Sequence, residues 1–416
     1  MSVYYLAGAR ANILRDVVFT PSDEDALFTA ADFLADGEPS TVFKFATAAA
    51  NSGVVADLGT LLKNGDFEDA PVSGLPPDWL DQSTGDGVIV VSTAIFDSGA
   101  QSLKFTTETG GDTATAVQDI VVQAGCGMSI TAALRRDDAG TIVIRVQNLD
   151  TGKYLDSSEA WQTAASDWYS RTATPFATKG PNTFTVEAAS VAERAVYTLR
   201  VTVELTGTEA TGYVDSFFIW HHWDIAAILG AEYPPTVTAR IRSDSAVGMP
   251  SPTNQVAFPF GRPTVWGEPA STVTEQFLQL YFDGTPLRPE KVGELLAGCK
   301  RTLPNVLLQP VPMATTAMFS PIGDGRDAPV SIERDSSRNF RLSTLALGET
   351  QFAQIRREFC DPLGWGGGQL FIVPDSTKQG EAFYGWVDRI TELDLGKSCY
   401  RIETDFHGHA FSVRTT

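Results

Sequence analysis

Asn64-Gly65-Asp66-Phe67-Glu68 opens the stretch of sequence that decides the fold, and a Pro-containing turn, Gly74-Leu75-Pro76-Pro77-Asp78-Trp79, follows it. Far downstream, Gly212-Tyr213-Val214-Asp215-Ser216-Phe217-Phe218-Ile219 forms the other end of the same unit. Between these ends, residues 61–219 predict a self-contained β-sandwich. The rest of the chain is organised around this module.

The amino-acid composition limits the possible fold and function of the chain. The chain has 416 residues, enough for two or three domains, and it contains 36 Gly and 23 Pro, while long helical patterns are nearly absent. These features predict a mainly β protein with many turns. The formal net charge of −20 argues against a nucleic-acid-binding surface, because neutralising phosphates requires clustered Lys and Arg. No sequence-specific contact with nucleic acid is expected.

Neither a membrane span nor a signal peptide is expected from the sequence. No window approaches the roughly 18 apolar residues that a spanning helix needs, and Met1 to Leu6 lacks a basic region followed by an apolar run. The four cysteines are widely spaced and contain no C-x-x-C pair, which favours semi-buried free thiols. We therefore expect the chain to be made in a reducing cytoplasm.

Residues 1–60 contain strand patterns but too little apolar sequence to fold alone. The missing strands are expected after the module, in Ile225–Leu229 and in Thr236–Arg242, where Val237, Ala239 and Ile241 alternate with polar residues. We therefore predict a first β-sandwich made of residues 1–60 and 220–250 and split by the module.

Residues 251–310 are rich in Pro and are predicted to form an arm or linker, interrupted by a strand at Thr274–Phe282 and a short helix at Pro289–Ala297. In this arm, Phe258, Phe260 and Trp266 are expected to be exposed and to anchor contacts between subunits.

Residues 311–416 are predicted to form a C-terminal β domain with one helix. A strand from Asn339 leads into a helix at Glu349–Phe359 that carries Phe352, Ile355 and Phe359 on one face. Three further strand patterns follow the helix.

The module resembles the jelly-roll, galactose-binding-like carbohydrate-binding modules, in which "NGDFE" followed by Trp marks the first strand; Ser98–Phe105 matches their second strand and Gly212–Ile219 their last. That family often holds a structural Ca²⁺ between its first and last strands. The resemblance implies Asp66, Glu68 and Asp215 as ligands, with solvated acids beside a turn as the alternative.

The same resemblance places Trp79 and Trp168 in the core and leaves Tyr154 and Trp161 as the better candidates for stacking on a sugar ring. A partly packed Trp161 is the alternative.

A second resemblance covers both flanks of the module. Leu34–Thr41, Asp57-Leu58-Gly59, Ile219–His222 and Thr236–Ser243 are similar to the discoidin-like N-terminal region of tail-tip proteins from long-tailed phages and prophages. The C-terminal order of strand, helix and strands resembles the β-barrel-like domain with which distal tail and baseplate proteins build rings. The expected fold is thus a discoidin-like β-sandwich split by a jelly roll, followed by that barrel-like domain.

No catalytic motif accompanies these patterns. The sequence has no G-x-S-x-G, no G-x-x-x-x-G-K-[ST] and no H-E-x-x-H, so we expect no enzymatic activity.

The sequence therefore predicts a structural subunit of a phage tail tip, located in the virion and made in the host cytoplasm. The resemblance implies a homo-oligomeric ring that contacts the tail tube protein, the tape measure and tail hub or fibre proteins, with the module touching host-surface glycans. The alternative is a cell-surface carbohydrate-binding protein or an accessory module of a glycoside hydrolase.

Overall fold

The computed structural model describes the chain except for a set of short segments, one longer segment and the two termini. These are residues 1–2, 8–11, 16, 25, 28, 31–33, 37–41, 60, 73, 124, 187–195, 232, 247, 259–263, 286–290, 311–338, 366, 377–381 and 409–416. The described residues are mainly β, which confirms the expected fold class. No helix among them is long and apolar enough to span a bilayer.

The first sandwich is built from chain segments on both sides of the module. Strands are numbered along the chain, and those of this sandwich are β2 (Val18–Pro21), β3 (Phe43–Lys44), β4 (Gly53–Asp57), β17 (Ile225–Leu229), β18 (Thr238–Asp244), β19 (Thr253–Phe258), β20 (Thr264–Gly267), β21 (Phe277–Asp283), β22 (Lys291–Val292) and β23 (Glu294–Gly298). One sheet has the order β19-β18-β21-β4-β2 and a second has the order β20-β17-β23.

The split in the first sandwich follows from the pairing of its central strand. β21 lies between β18 and β4, so a strand that precedes the module pairs with one that follows it. The predicted alternation in β18 is confirmed, since Val237, Ala239 and Ile241 are all buried in the core.

The prediction of an arm at residues 251–310 is wrong. The described part of this region supplies five strands of the first sandwich, β19 to β23, and two strands of the C-terminal sheet. The helix predicted at Pro289–Ala297 is wrong as well, because Glu294–Gly298 is a fully buried strand. A short, fully buried apolar run fits a helix and a strand equally well by periodicity.

The predicted subunit anchors are also wrong where the structure describes them. Phe258 is 1% exposed and belongs to the core of the first sandwich. Trp266 is 5% exposed and belongs to a cluster that joins this sandwich to the C-terminal domain. Phe260 lies outside the described residues. Both described side chains are therefore committed to contacts within one chain.

The module consists of two antiparallel sheets around one core. Its strands are β5 (Leu80–Asp81), β6 (Val88–Ser92), β7 (Ser102–Thr107), β8 (Thr113–Gln123), β9 (Gly127–Arg136), β10 (Thr141–Asn148), β11 (Lys153–Leu155), β12 (Trp161–Gln162), β13 (Tyr169–Arg171), β14 (Ala177–Thr185), β15 (Val196–Thr206) and β16 (Ala210–His221). The larger sheet has the order β12-β11-β10-β15-β8-β5, with β13 beside β10, and the smaller has the order β14-β9-β16-β7-β6. Trp79 and Trp168 are both buried in the core between them.

The two ends of the module meet. The backbone N–H of Phe217 donates to the carbonyl oxygen of Gly65 over 2.8 Å. Any side chain at residue 65 would collide here, because a Cβ on Gly65 would lie 1.8 Å from the carbonyl oxygen of Phe217. Adjacent ends are the geometry that allows one domain to be inserted into a loop of another.

Removing the module is expected to leave the rest of the chain folded. Joining Leu62 to Phe218 through a short Gly/Ser linker keeps β4, β17, β18 and β21, and so retains the first sandwich. Circular dichroism and thermal melting of the shortened chain measure this. Loss of cooperative melting in the shortened chain would contradict the insertion.

The C-terminal sheet begins with the first strand of the chain. Its strands are β1 (Val3–Ala7), β24 (Arg301–Leu303), β25 (Val306–Pro310), β26 (Asn339–Leu347), β27 (Gly368–Val373), β28 (Phe383–Val387), β29 (Thr391–Asp394) and β30 (Cys399–Gly408). The order is β24-β1-β27-β28-β30-β26-β25, with β29 beside β30. Only Pro304 and Asn305 separate β24 from β25, so the two edges of the sheet lie within one tight turn and the sheet curls into a barrel-like form.

One helical segment covers this sheet, as predicted, although it is not uniform. Helix α1 (Glu349–Ile355) runs into a π-helical turn (Arg356–Cys360) and a short helix α2 (Asp361–Leu363). Phe352, Ile355 and Phe359 are buried against the sheet. Burial of one apolar stripe is what holds so short a helix in place.

Candidate functional site

The outer face of the larger module sheet carries an ordered set of polar side chains. In β10 the side chains of Ile142, Ile144 and Val146 point into the core, so Arg145 and Gln147 point outward. β15 alternates in the same way, with its apolar residues inside and its polar residues outside. This face is therefore built by side chains that point alternately inward and outward along two long neighbouring strands.

Strand register brings four of the outward side chains into one row. Tyr154 in β11 pairs with Gln147 in β10, Gln147 pairs with Arg200 in β15, and Arg200 pairs with Asp119 in β8. Paired residues of antiparallel strands project to the same face. We call Tyr154, Gln147, Arg200 and Asp119 the polar row.

Two arginines on this face are held in fixed orientations. Arg200 binds Asp119 through two parallel hydrogen bonds, each 2.8 Å long, and the two side chains remain 35% and 41% exposed. Arg145 donates to Asp167 over 2.7 Å and to Glu204 over 2.9 Å. A guanidinium group has five N–H donors, so each arginine retains donors for another partner.

The carboxylates also fix the charge of these arginines. Burial opposes the charge of Arg145, but the Glu204 and Asp167 carboxylates outweigh it and raise its pKa. The hydrogen bonds from Arg200 to Asp119 likewise raise the pKa of Arg200. The face thus offers permanently charged donors beside carboxylate acceptors. The half-buried side chain of Tyr154 lies next to these charged groups.

The structure separates the two predicted sugar-stacking residues. Tyr154 pairs with Gln162, and Leu155 pairs with Trp161, so Trp161 shares a face with the fully buried Leu155. The indole Nε1 of Trp161 donates to the carbonyl oxygen of Thr185 over 2.8 Å, and its ring meets the edge of Phe184. Trp161 therefore packs at the rim of the core. Tyr154 alone lies on the outer face.

Two of the three predicted calcium ligands, Glu68 and Asp215, contact the loop that precedes β7. Glu68 Oε1 accepts the backbone N–H groups of Ala100 and Gln101, over 2.7 and 2.9 Å. Asp215 is fully buried, and its Oδ2 accepts the N–H groups of Asp97 and Ser98, over 2.7 and 3.0 Å. These two carboxylates thus hold the loop by its backbone, as an anion does in a nest of N–H groups.

Asp66 takes no part in that arrangement. Its Oδ1 accepts the backbone N–H of Glu68 over 3.5 Å, and burial raises its pKa. Within the described part of the chain, no three His, Cys, Asp or Glu side chains are placed to hold a metal ion. In the structure the Glu68 and Asp215 carboxylates bind backbone N–H groups, and calcium binding by Asp66, Glu68 and Asp215 stays a prediction.

Asp215 predicts a specific dependence of stability on pH. Burial raises its pKa to about 6 against the opposing effect of the N–H groups of Ser98 and Asp97. Because the pKa is raised in the folded state, the stabilising contribution of the protonated form is complete below the ordinary pKa of an Asp, near 4, and is lost as the pH rises through about 6.

The wild-type chain should therefore gain stability relative to Asp215→Asn, which does not titrate, when the pH falls from 7.5 to 4.5. The expected change in the difference of unfolding free energies is about 2 kcal/mol. Urea denaturation of both chains at several pH values measures it. A difference that does not vary with pH would contradict the raised pKa.

Sequence reasoning missed Gln147, Arg145, Arg200, Asp119 and Glu204. The signal was present, because residues 144–147 and 197–206 alternate apolar and polar residues. The pairing of these strands with each other, which sets the row, is a long-range property and cannot be read from either strand alone.

Comparisons with known proteins rest on structure alone. No family model matches the chain, and no curated protein matches it by sequence. The solved structures that resemble it include carbohydrate-binding modules.

Three of the similar structures are a phage tailspike domain and two carbohydrate-binding modules. One is the enzymatically active domain of tailspike protein 4 of bacteriophage CBA120, with 12% identity, a TM-score of 0.28 and coverage of 38% of this chain and 21% of that one. A carbohydrate-binding module of family 61, solved with β-1,4-galactotriose, has 15% identity, a TM-score of 0.27 and coverage of 39% of this chain and 97% of that one. The CBM22-1 xylan-binding domain of a Paenibacillus barcinonensis xylanase has 17% identity, a TM-score of 0.25 and coverage of 38% and 91%.

The chain thus spans about a fifth of the tailspike domain that it matches. Similarity at this level does not indicate what the chain binds.

Proposed function

We propose that the chain is a non-enzymatic structural component of a phage tail tip, and that its inserted module binds a glycan of the host surface through the polar row. In this proposal the chain is made in the host cytoplasm and ends in the virion. The split sandwich and the C-terminal domain carry the structural role, and the module carries the contact with the host.

The observation that carries the glycan proposal is the polar row itself. A sugar presents hydroxyl groups, which both donate and accept hydrogen bonds, around an apolar ring face. The row offers the ring of Tyr154, the amide of Gln147, and an arginine and a carboxylate that hold each other in place. A few oriented polar groups beside an aromatic surface are what a specific small-molecule site needs.

The exposed position of the ion pair adds support. An exposed pair such as Arg200–Asp119 contributes only about 0–1 kcal/mol to folding. So small a contribution to stability does not explain why Arg200 is held in one orientation on the surface. Donors held in one orientation favour the recognition of a ligand.

The tail-tip part of the proposal rests on organisation. The C-terminal domain has an order of strand, helix and strands that resembles the ring-building domain of tail-tip proteins. The first sandwich is interrupted by a module whose two ends meet. A closed ring would let every copy satisfy the same contacts. Tail tube, tape measure and hub or fibre proteins are the partners that this role implies.

The experiment for the glycan role compares the full chain with the chain that lacks the module. Both are applied to an array of bacterial surface polysaccharides and plant β-glycans. Retention of the full chain on one class, with loss of that retention when the module is removed, is expected. Equal retention of both chains would overturn the proposal.

The ring is tested separately by electron microscopy of the purified full chain, with and without purified tail tube protein. Closed rings of uniform size are expected. If the chain stays monomeric in both samples yet binds oligosaccharide, a cell-surface carbohydrate-binding protein replaces the tail-tip role.

A further inference from the structure

Two thiols lie where the module joins the first sandwich. Cys126 lies in the turn between β8 and β9 of the module, and Cys299 follows β23 of the first sandwich. Each thiol shifts the pKa of the other. Both belong to one small cluster, since Cys299 Sγ lies 3.4 Å from the carbonyl oxygen of His222, and His222 donates its backbone N–H to Gly127, the residue after Cys126.

A cation completes this cluster. The Nη2 atom of Arg301 lies 3.5 Å from Cys126 Sγ. A guanidinium beside a thiol favours the thiolate, which is the reactive form of cysteine. Cys126 is buried, while Cys299 is half-buried and gives the pair its access to small molecules in solvent.

We propose that Cys126 and Cys299 form an intramolecular disulfide when the chain meets a peroxide, so that the module becomes covalently tied to the first sandwich. This site is independent of the polar row and of the proposed glycan.

The chemistry balances with hydrogen peroxide as oxidant. The Cys126 thiolate attacks one peroxide oxygen, the O–O bond breaks, and the leaving hydroxide takes up the thiol proton to form water. Cys126 is then a sulfenic acid. The Cys299 sulfur attacks this sulfur, the S–O bond breaks, and a second water leaves. Two thiols and one peroxide thus give one disulfide and two waters.

The order of these steps follows from the acidity of the two thiols. The neighbouring Cys299 thiol, helped by the charge of Arg301, lowers the pKa of Cys126 despite its burial. The neighbouring Cys126 thiol and burial raise the pKa of Cys299. Cys126 is therefore the thiol that reacts first and Cys299 the one that resolves the intermediate.

The other two cysteines serve as internal controls. Cys360 is buried in the core of the C-terminal domain, where burial raises its pKa. Cys399 is half-buried at the start of β30. Peroxide should leave both as free thiols under conditions that link the proposed pair.

The experiment treats the reduced full chain with hydrogen peroxide, unfolds it, alkylates the remaining thiols and maps the peptides by mass spectrometry. One linked pair containing Cys126 and Cys299 is expected, with Cys360 and Cys399 alkylated. Alkylation of all four cysteines, or a link only between separate chains, would overturn the proposal.

Melting temperatures supply a second readout. The oxidised chain should melt at a higher temperature than the same sample after reduction, because the cross-link closes a long loop and restricts the unfolded chain. Cys126→Ser and Cys299→Ser should each remove this difference, and Cys399→Ser should retain it. A difference that survives in either of the first two variants would contradict the assignment.

Discussion

Replacing Trp266 by alanine is expected to lower the free energy of unfolding by about 3–5 kcal/mol. Its indole is 5% exposed, lies in the apolar cluster that joins the first sandwich to the C-terminal sheet, and meets the ring of Tyr4 edge-on. Removing it leaves a cavity between two sheets that cannot easily collapse. Urea denaturation of the full chain, followed by fluorescence and circular dichroism, measures the loss.

Two matched variants sharpen this test. The indole Nε1 of Trp266 has no hydrogen-bond partner among the described residues, so Trp266→Phe keeps most of the packing and loses no bond. It should cost far less than Trp266→Ala. Leu395→Ala, at a side chain that is 49% exposed, should change stability by less than about 0.5 kcal/mol.

The result also distinguishes a contact within one chain from a contact between subunits. If Trp266→Ala left the stability unchanged but abolished self-association, the residue would anchor a contact between subunits after all.

Replacing Arg200 by alanine is expected to weaken glycan binding by about tenfold to a hundredfold. Hydrogen bonds to a charged group contribute about 1.5–3 kcal/mol each, and 1.4 kcal/mol corresponds to a factor of ten in affinity. The variant also leaves Asp119 without the cation that it binds. Isothermal titration with the glycan identified on the array measures the change.

Arg341 offers a matched control in the same chain. It binds Asp405 through two hydrogen bonds of 2.9 and 3.2 Å, on the C-terminal domain. Arg341→Ala removes the same kind of exposed ion pair, away from the module. Its affinity for the glycan should equal that of the wild type, and both variants should melt close to the wild type. A similar loss of affinity in both variants would point to a general effect of charge.

The sequence predicts the fold well wherever patterns are local. Alternation in residues 236–242 correctly gives a strand and its buried face, and the apolar face of the helix from Glu349 is correct. Both depend on the period of apolar residues within one element, which a single segment contains in full.

The prolines of residues 251–310 predict an arm or linker, and this prediction fails because prolines at the border of a strand do not break it. In the described part, Pro250 and Pro252 lie just before β19, and they border the strand without interrupting its ladder. Val256 and Phe258 alternate inward in that strand. The partner strands lie on both sides of the module in the sequence, so the sheet that buries Phe258 was not visible from the segment.

In the candidate site too, the sequence does not reveal which distant segments come together. Tyr154 was found as an aromatic residue, but whether it shares a face with Trp161 depends on a register between β11 and β12 that composition does not fix. Glu68 and Asp215 were found together because they lie on the first and last segments of the module. That their carboxylates hold backbone N–H groups of one loop depends on the path of that loop in three dimensions.

The central claim is that the module binds its glycan on the outer face of the larger sheet, and Tyr154→Ala in the full chain tests it most directly. Phe96→Ala is the matched control, because Phe96 is a 42% exposed aromatic residue of the same module in the loop between β6 and β7 of the smaller sheet. Isothermal titration of both variants with the array-identified glycan should show at least about tenfold weaker binding for Tyr154→Ala and wild-type affinity for Phe96→Ala. Wild-type affinity in Tyr154→Ala, with the variant folded, would contradict the account.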